Sequence, residues 1–312
     1  MNKLFEINNY FRPASDWTKE YFGKRIQKIP VDGGFSCPNR DGRYSSTGCI
    51  YCNNNSFSPF YTHDKKTITE QLEIGIDYFS KRYNCSDFFV YFQTYSGTYA
   101  PIDVLEKKYN EALKFSNIKG LIIATRPDCI DDSVIKLLLK IKNKTYIRVE
   151  IGVESFDDNV LKAINRCHDS KTAIDAINLL RKNEIDTSVH LIFGLPNESD
   201  NSAKEYGNIL SDTGAEFVKL HHLQIVKGSR LEEIFNNNPD FVKLHSLDSY
   251  IVKIAEFLSY LAPEIYVERF INRVPPKMLI APKFGDIDEN RFSQMLCDYM
   301  LEHHLSQGCL RK

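Results

Sequence analysis

The chain has 312 residues, 42% of them hydrophobic, enough to bury the core of one large domain or of a domain with an appendage. Its 40 lysines and arginines nearly balance 41 acidic residues, leaving a net charge of −1 and no global attraction for nucleic acid. No run of about 18 apolar residues predicts a membrane span, and the opening MNKLFEINNYFRPASDW lacks the apolar stretch of a secretory signal, so a cytoplasmic protein without membrane contact is expected.

After an N-terminal extension, residues 1–24, apolar strand-like runs alternate with helix-patterned ones. Strands are predicted at 26–31, 88–92, 120–124, 146–153, 187–193 and 217–223. Helices are predicted at 67–82, 101–115, 131–142, 170–182 and 200–213. The first of these opens on Thr67-Ile-Thr-Glu70, a capping-box pattern, and the second on a proline suited to a first turn. Alternation at this spacing indicates parallel βαβ units, and near-continuous hydrophobic strands indicate a sheet covered by helices. Six units point to a partial (β/α)6 barrel over residues 25–228, although a doubly wound sheet gives the same pattern. Either architecture places its site at the carboxyl ends of the strands. Beyond Gly228 the rhythm weakens, and Asn236-Asn-Asn-Pro239 reads as a boundary. Residues 229–312 are then a C-terminal elaboration, with helices at 246–261 and 290–304 packed on the core.

Eight cysteines in a reducing compartment argue for metal or catalysis rather than disulfides. Cys37, Cys49 and Cys52 lie close together on the loop after the first strand, while Cys85, Cys129, Cys297 and Cys309 show no metal-pair spacing, so no second cluster is predicted. Three thiolates suit an iron–sulfur cluster with one iron left open. A structural zinc normally takes four protein ligands, for which His63 is the nearest candidate fourth. Spacing alone leaves cluster, zinc and unligated thiols open. Two basic groups, Lys24, Arg25 and Lys28, and Lys136, Lys140, Lys142, Lys144 and Arg148, read as solvated faces.

Gly34-Phe-Ser-Cys37-Pro-Asn-Arg-Asp-Gly42 followed by Gly48-Cys49-Ile-Tyr-Cys52 resembles the YhcC/YtqA-type radical S-adenosylmethionine (SAM) proteins, of the branch that contains the catalytic subunit of Elongator. The likeness continues through Tyr91-Phe-Gln-Thr-Tyr-Ser-Gly-Thr-Tyr-Ala-Pro101, Thr125-Arg-Pro-Asp-Cys129, Val149-Glu-Ile-Gly-Val-Glu154, Ile164-Asn-Arg-Cys-His168 and His190-Leu-Ile-Phe-Gly-Leu-Pro196. It implies an α/β radical SAM barrel, a [4Fe–4S] cluster on Cys37, Cys49 and Cys52, and SAM chelated at the open iron. By the same resemblance Tyr51 packs near the adenine, and Gln93 and Thr94 sit where relatives bind the methionine amino group. Glu154 takes the place of a glutamine in the coproporphyrinogen-oxidising branch, and Arg166 and His190 match that branch's SAM-contacting arginine and aspartate. Ile192 and Gly194 end the fifth strand beside the expected adenine pocket. His221 and His222, adjacent on the sixth strand, point to opposite faces, so one looks into the barrel. Cys167 stands where relatives usually carry glycine, and 269–274 lacks the relatives' Gly-Asp pair.

The resemblance implies reductive cleavage of SAM to a 5′-deoxyadenosyl radical that abstracts hydrogen from a substrate, with an electron donor such as flavodoxin or ferredoxin. The substrate implied by the Elongator branch is tRNA, at a modified wobble uridine. With no acetyltransferase-like domain at its end, the chain is expected to remodel an existing uridine side chain. Two other readings fit the residues: a radical enzyme on a small metabolite or peptide, and a zinc-stabilised binding module without catalysis.

Overall fold

A computed structural model describes residues 7–56, 58–62, 66–272 and 274–311; His63 lies outside the described residues. The chain runs α1 (Ala14–Phe22), β1 (Gln27–Val31), α2 (Ile68–Tyr83), β2 (Phe88–Phe92), α3 (Ile102–Ala112) and β3 (Ile118–Thr125). It continues through α4 (Asp132–Lys142), β4 (Tyr146–Glu154), α5 (Asp158–Ala163), α6 (Ser170–Lys182), β5 (Asp186–Phe193), α7 (Ser202–Thr213) and β6 (Phe217–His222). The last stretch holds β7 (Ile225–Val226), α8 (Arg230–Asn237), α9 (Leu247–Tyr260), β8 (Tyr266–Arg269), β9 (Leu279–Ala281) and α10 (Glu289–Glu302).

Several helices start where side chains can replace the missing backbone partners. Thr67 and Glu70 form the reciprocal capping box of α2. Asp131 accepts the Val134 N–H at 2.9 Å for α4, and Asp169 the Thr172 N–H at 2.8 Å for α6. Each such cap contributes about 1 kcal/mol.

Seven strands form one all-parallel sheet in the order β1-β2-β3-β4-β5-β6-β8. Laid flat, seven strands would hold the two edges about 29 Å apart. Yet Lys28 on β1 bonds Glu268 on β8. The sheet is therefore curled into a half-barrel, and the strand alternation sorts its residues. On β4, Ile147, Val149, Ile151 and Val153 are buried in the core shared with the helices, at about 1.5–3 kcal/mol for each aliphatic side chain. Arg148, Glu150, Gly152 and Glu154 point inward.

The seventh strand, β8, comes from the C-terminal stretch and was not foreseen, because four residues are too few to register as a periodic run. The short helices α1, α5 and α8 also escaped the pattern, and α8 carries the chain through the expected boundary as far as Asn237. The solvated reading of the basic groups is corrected at two positions. Lys28 and Arg148 sit inside the barrel, where Lys28 bonds Glu150 at 2.6 Å and Arg148 bonds Glu268 at 3.2 Å. The narrow end of the barrel is filled by Trp17 of α1, in contact with Phe22, Tyr146 and Phe217, with the Arg148 guanidinium 4.5 Å from its ring. Among the described residues no helix is long and apolar enough to cross a membrane.

Candidate active site

At the carboxyl ends of the strands a cavity of about 220 Å³ is lined by Cys37, Cys49 and Cys52 together with Tyr51, Gln93, Glu154, Arg166, His190 and Ile192. It adjoins a wider vestibule of about 790 Å³, with Ser56, His222, Gln224, Asn272 and Val274 bordering both.

The cysteine loop is held by its own polar residues. Buried Asn39 donates to the Asn165 carbonyl at 2.6 Å and to Cys49 Sγ at 3.4 Å, and Asn165 donates back to the Gly48 carbonyl at 2.7 Å. Arg40 donates to the Cys52 carbonyl at 2.7 Å, and a Cβ on Gly48 (φ 75°) would meet the Arg40 side chain at 2.8 Å. The loop is thus fastened to the turn between α5 and α6. In that turn Asn165 and Cys167 adopt left-handed backbone, φ 55° and 62°. Glycine adopts that conformation most readily, and here a cysteine takes it.

Among the described residues no three His, Cys, Asp or Glu side chains converge closely enough to hold a single metal ion. Three thiols lining one cavity fit a cubane, one thiolate to each of three irons. Arg166 Nη1, 3.4 Å from Cys49 Sγ, and the Asn39 amide would hydrogen-bond the ligand sulfur, a contact that tunes cluster potentials. Burial, with Cys49 close by, pushes the Cys52 thiol up to about 11, so loading the site must displace protons.

Beside the thiols, Arg166 lies 3.3 Å from Glu154, donates to the Gly152 carbonyl, and receives its own carbonyl bond from Arg126 at 2.7 Å. Its Nε donates to His168 Nε2 at 3.1 Å, and His168, depressed to about 3 by burial and by Arg166, stays neutral. Glu154 has φ 69°, a strained conformation for a side-chain-bearing residue, worth roughly 1–3 kcal/mol at such sites. The Tyr51 hydroxyl and Ser96 Oγ are buried with no hydrogen-bond partner among the described residues, and both residues line the cavity. Two expected contacts fall elsewhere. Thr94 is turned away to bond Asp32 at 2.8 Å, and Gly194 directs its N–H to Glu198 at 2.7 Å; neither lines the cavity.

The inner end of the cavity is ionic. Glu150, fully buried, bonds Lys28 at 2.6 Å, Lys219 at 2.9 Å and His190 at 2.9 Å. Lys219 also donates to the Tyr91 hydroxyl at 3.0 Å. Burial raises the Glu150 carboxyl, but Lys219 and Lys28 more than reverse this and hold it well below the usual range. Burial and Lys219 lower His190, which therefore stays neutral. His190 thus serves Glu150 while lining the cavity. His221 faces the cavity, as one of the histidine pair was expected to, and His222 also borders it, with its ring stacked on Phe284 at 4.4 Å. Lys28, Tyr91, Glu150, Lys219, Glu268 and Arg269 were missed as site residues. Only β4 carried a signal, the alternate charges Arg148, Glu150 and Glu154 in an otherwise apolar strand.

Residues 39–208 match the family model "Radical SAM superfamily", and residues 215–301 match "Radical_SAM C-terminal domain". The chain is 34% identical over 312 residues to Escherichia coli protein YhcC, covering 98% of this chain and 96% of that one. It is 30% identical to Bacillus subtilis YtqA, covering 86% and 82%. The solved structure of Elp3 from Methanocaldococcus infernus superposes with a TM-score of 0.67 at 18% identity, over 90% of this chain and 64% of that one, and shares the fold. By fold, by sequence and by the thiols gathered at its mouth, the chain belongs to the radical SAM superfamily, whose enzymes use a [4Fe–4S] cluster and SAM.

Proposed function

We propose that Cys37, Cys49 and Cys52 hold the cluster, that Tyr51, Gln93, Glu154, Arg166, His190 and Ile192 surround SAM, and that the substrate is a modified wobble uridine of tRNA. The observation that carries the site assignment is the meeting of all nine side chains on one cavity at the strand ends. When bound, the cluster and SAM supply the radical that removes hydrogen from the substrate. The chain's own contribution is to hold the ligand thiols and to fix Arg166 between Cys49 and Glu154. Enzymes of this superfamily need an electron donor, for which a flavodoxin or ferredoxin is the expected kind.

The tRNA reading is supported by likeness to the M. infernus "tRNA uridine(34) acetyltransferase", 25% identical over 66% of this chain and 37% of that one. A wobble base lies in a single-stranded loop and can be splayed out at low cost. The wide vestibule beside the cavity gives such a base a route inward, and exposed Lys277 and Lys283 lie on the vestibule segment, with Lys227 tied to it through the Met278 carbonyl at 2.9 Å. The test is mass spectrometry of tRNA nucleosides from cells with and without the gene. A wobble-uridine derivative that vanishes while its precursor accumulates supports the reading. An unchanged profile under conditions that express the gene moves the substrate to a metabolite or peptide.

A further inference from the structure

The ionic inner end of the cavity carries more positive charge than its carboxylates neutralise. Lys28, Arg148 and Lys219 share Glu150 and Glu268 there, and Arg269 pairs with neither. The two histidines add no negative charge and stay neutral, His190 lowered by burial and Lys219, His221 by burial and Arg269. The surplus sits at the cavity surface. Lys219 is 5% exposed and Arg269 is partly buried, and both line the cavity. Arg269 belongs to no ion pair among the described residues; its Nη2 lies 3.1 and 3.3 Å from the two His221 ring nitrogens, and its buried Nε has no hydrogen-bond partner. Glu289 feels the Arg269 charge, but its carboxyl is engaged by the Phe270 and Ile271 backbone N–H groups at 2.8 and 3.3 Å. Cations withdrawn from water without partners are costly, and a guanidinium with free N–H groups beside an ammonium is a ready receptor for an oxyanion.

We propose that Lys219 and Arg269 form an oxyanion subsite that holds a carboxylate or phosphate borne by the substrate, opposite the cysteine loop. This rests on the reading that the cavity takes SAM and substrate together. SAM brings a carboxylate of its own, but the residues assigned to it cluster with the thiols through the Cys49–Arg166–Glu154 contacts. The substrate class that follows is a group with a negatively charged arm long enough to reach the inner end, its reacting carbon left nearer the mouth.

The probe is acetate. Cluster-loaded protein with SAM bound is unfolded by heat in sodium acetate, and in sodium chloride plus acetamide at equal ionic strength. Acetate should raise the melting temperature saturably, where the matched neutral control does not. Arg269→Gln, which breaks no ion pair, should weaken the acetate effect by about tenfold or more, the worth of a charge-assisted hydrogen bond. Lys219→Met should do the same, and Lys219→Arg should restore it; should Lys219→Met fail to fold, Arg269→Gln alone decides. SAM affinity, read by equilibrium dialysis, should hold in Arg269→Gln. An acetate effect absent from the wild type, or undiminished in Arg269→Gln, overturns the subsite. SAM affinity falling in step with acetate affinity assigns the cations to SAM and overturns it too. Wild-type cluster-loaded protein that binds no SAM at all would instead strike the reading on which the proposal rests.

Discussion

The cysteine loop and the ionic interior of the barrel face each other across one cavity, yet they are built in opposite ways. The loop is local: Cys37, Cys49 and Cys52 come from one connection after β1, and its fastenings, Asn39, Arg40 and Asn165, touch it directly. The interior is assembled at long range, with Lys28, Tyr91, Glu150, His190, Lys219 and Glu268 contributed by six different strands. The difference teaches that one side of the site can be lost without the fold, whereas the other is part of what holds the half-barrel curled.

The largest effect tests the first half of that statement. Cys37→Ala should abolish cluster retention, seen as loss of iron, sulfide and absorbance at roughly 400 nm, and with it SAM cleavage. Its far-ultraviolet circular dichroism should stay that of the wild type; a collapsed fold would break the contrast. Next, Glu150→Gln strands Lys28 and Lys219 beside a neutral amide and should cost about 3–5 kcal/mol in guanidinium unfolding. Acid should act on the same network. Burial raises the Glu268 carboxyl, but Lys28 and Arg148 outweigh it and bring it down to about 2. A carboxyl lowered in the folded state gives stability that is present above its ordinary 4.5 and is lost as pH falls toward about 2. Stability should therefore drop through that window, and less so in Glu268→Gln.

A smaller effect sharpens the boundary between the two regions. A Cβ on Gly152 would stand 2.7 Å from both Arg166 Nη2 and Glu154 Oε1. Gly152→Ala should weaken SAM binding by roughly tenfold through displacement of that pair, with the cluster still loaded. Equilibrium dialysis reads the first and iron analysis the second. The smallest is a gain: Cys167→Gly relieves a left-handed backbone and should stabilise by about 1 kcal/mol in the same unfolding assay, without changing iron content.

The local region was also the legible one. Thiol spacing on one loop is visible in a string of letters, and so were β2 and α6, whose bounds match their predicted ranges because hydrophobic period and caps agree there. The interior was illegible for a physical reason: reading β4 and β6 as simple hydrophobic runs hid the inward charges Arg148, Glu150 and Lys219, whose charged partners lie on other strands. Thr94 shows a subtler limit. Position at a strand end was read correctly, but the direction of its side chain was decided by Asp32, 62 positions away. The strand β8 was missed for its brevity, and with it Glu268 and Arg269, which complete the ionic network.

The aromatic plug at Trp17 carries a kinetic consequence. With indole, Phe217 and the Arg148 guanidinium packed together at one end, the two proposed ligands would share the doorway at the other. A passage open at one end would impose a queue on them: the guest seated deeper would enter first and depart last, and a turnover would restart only after the outer guest had cleared the way.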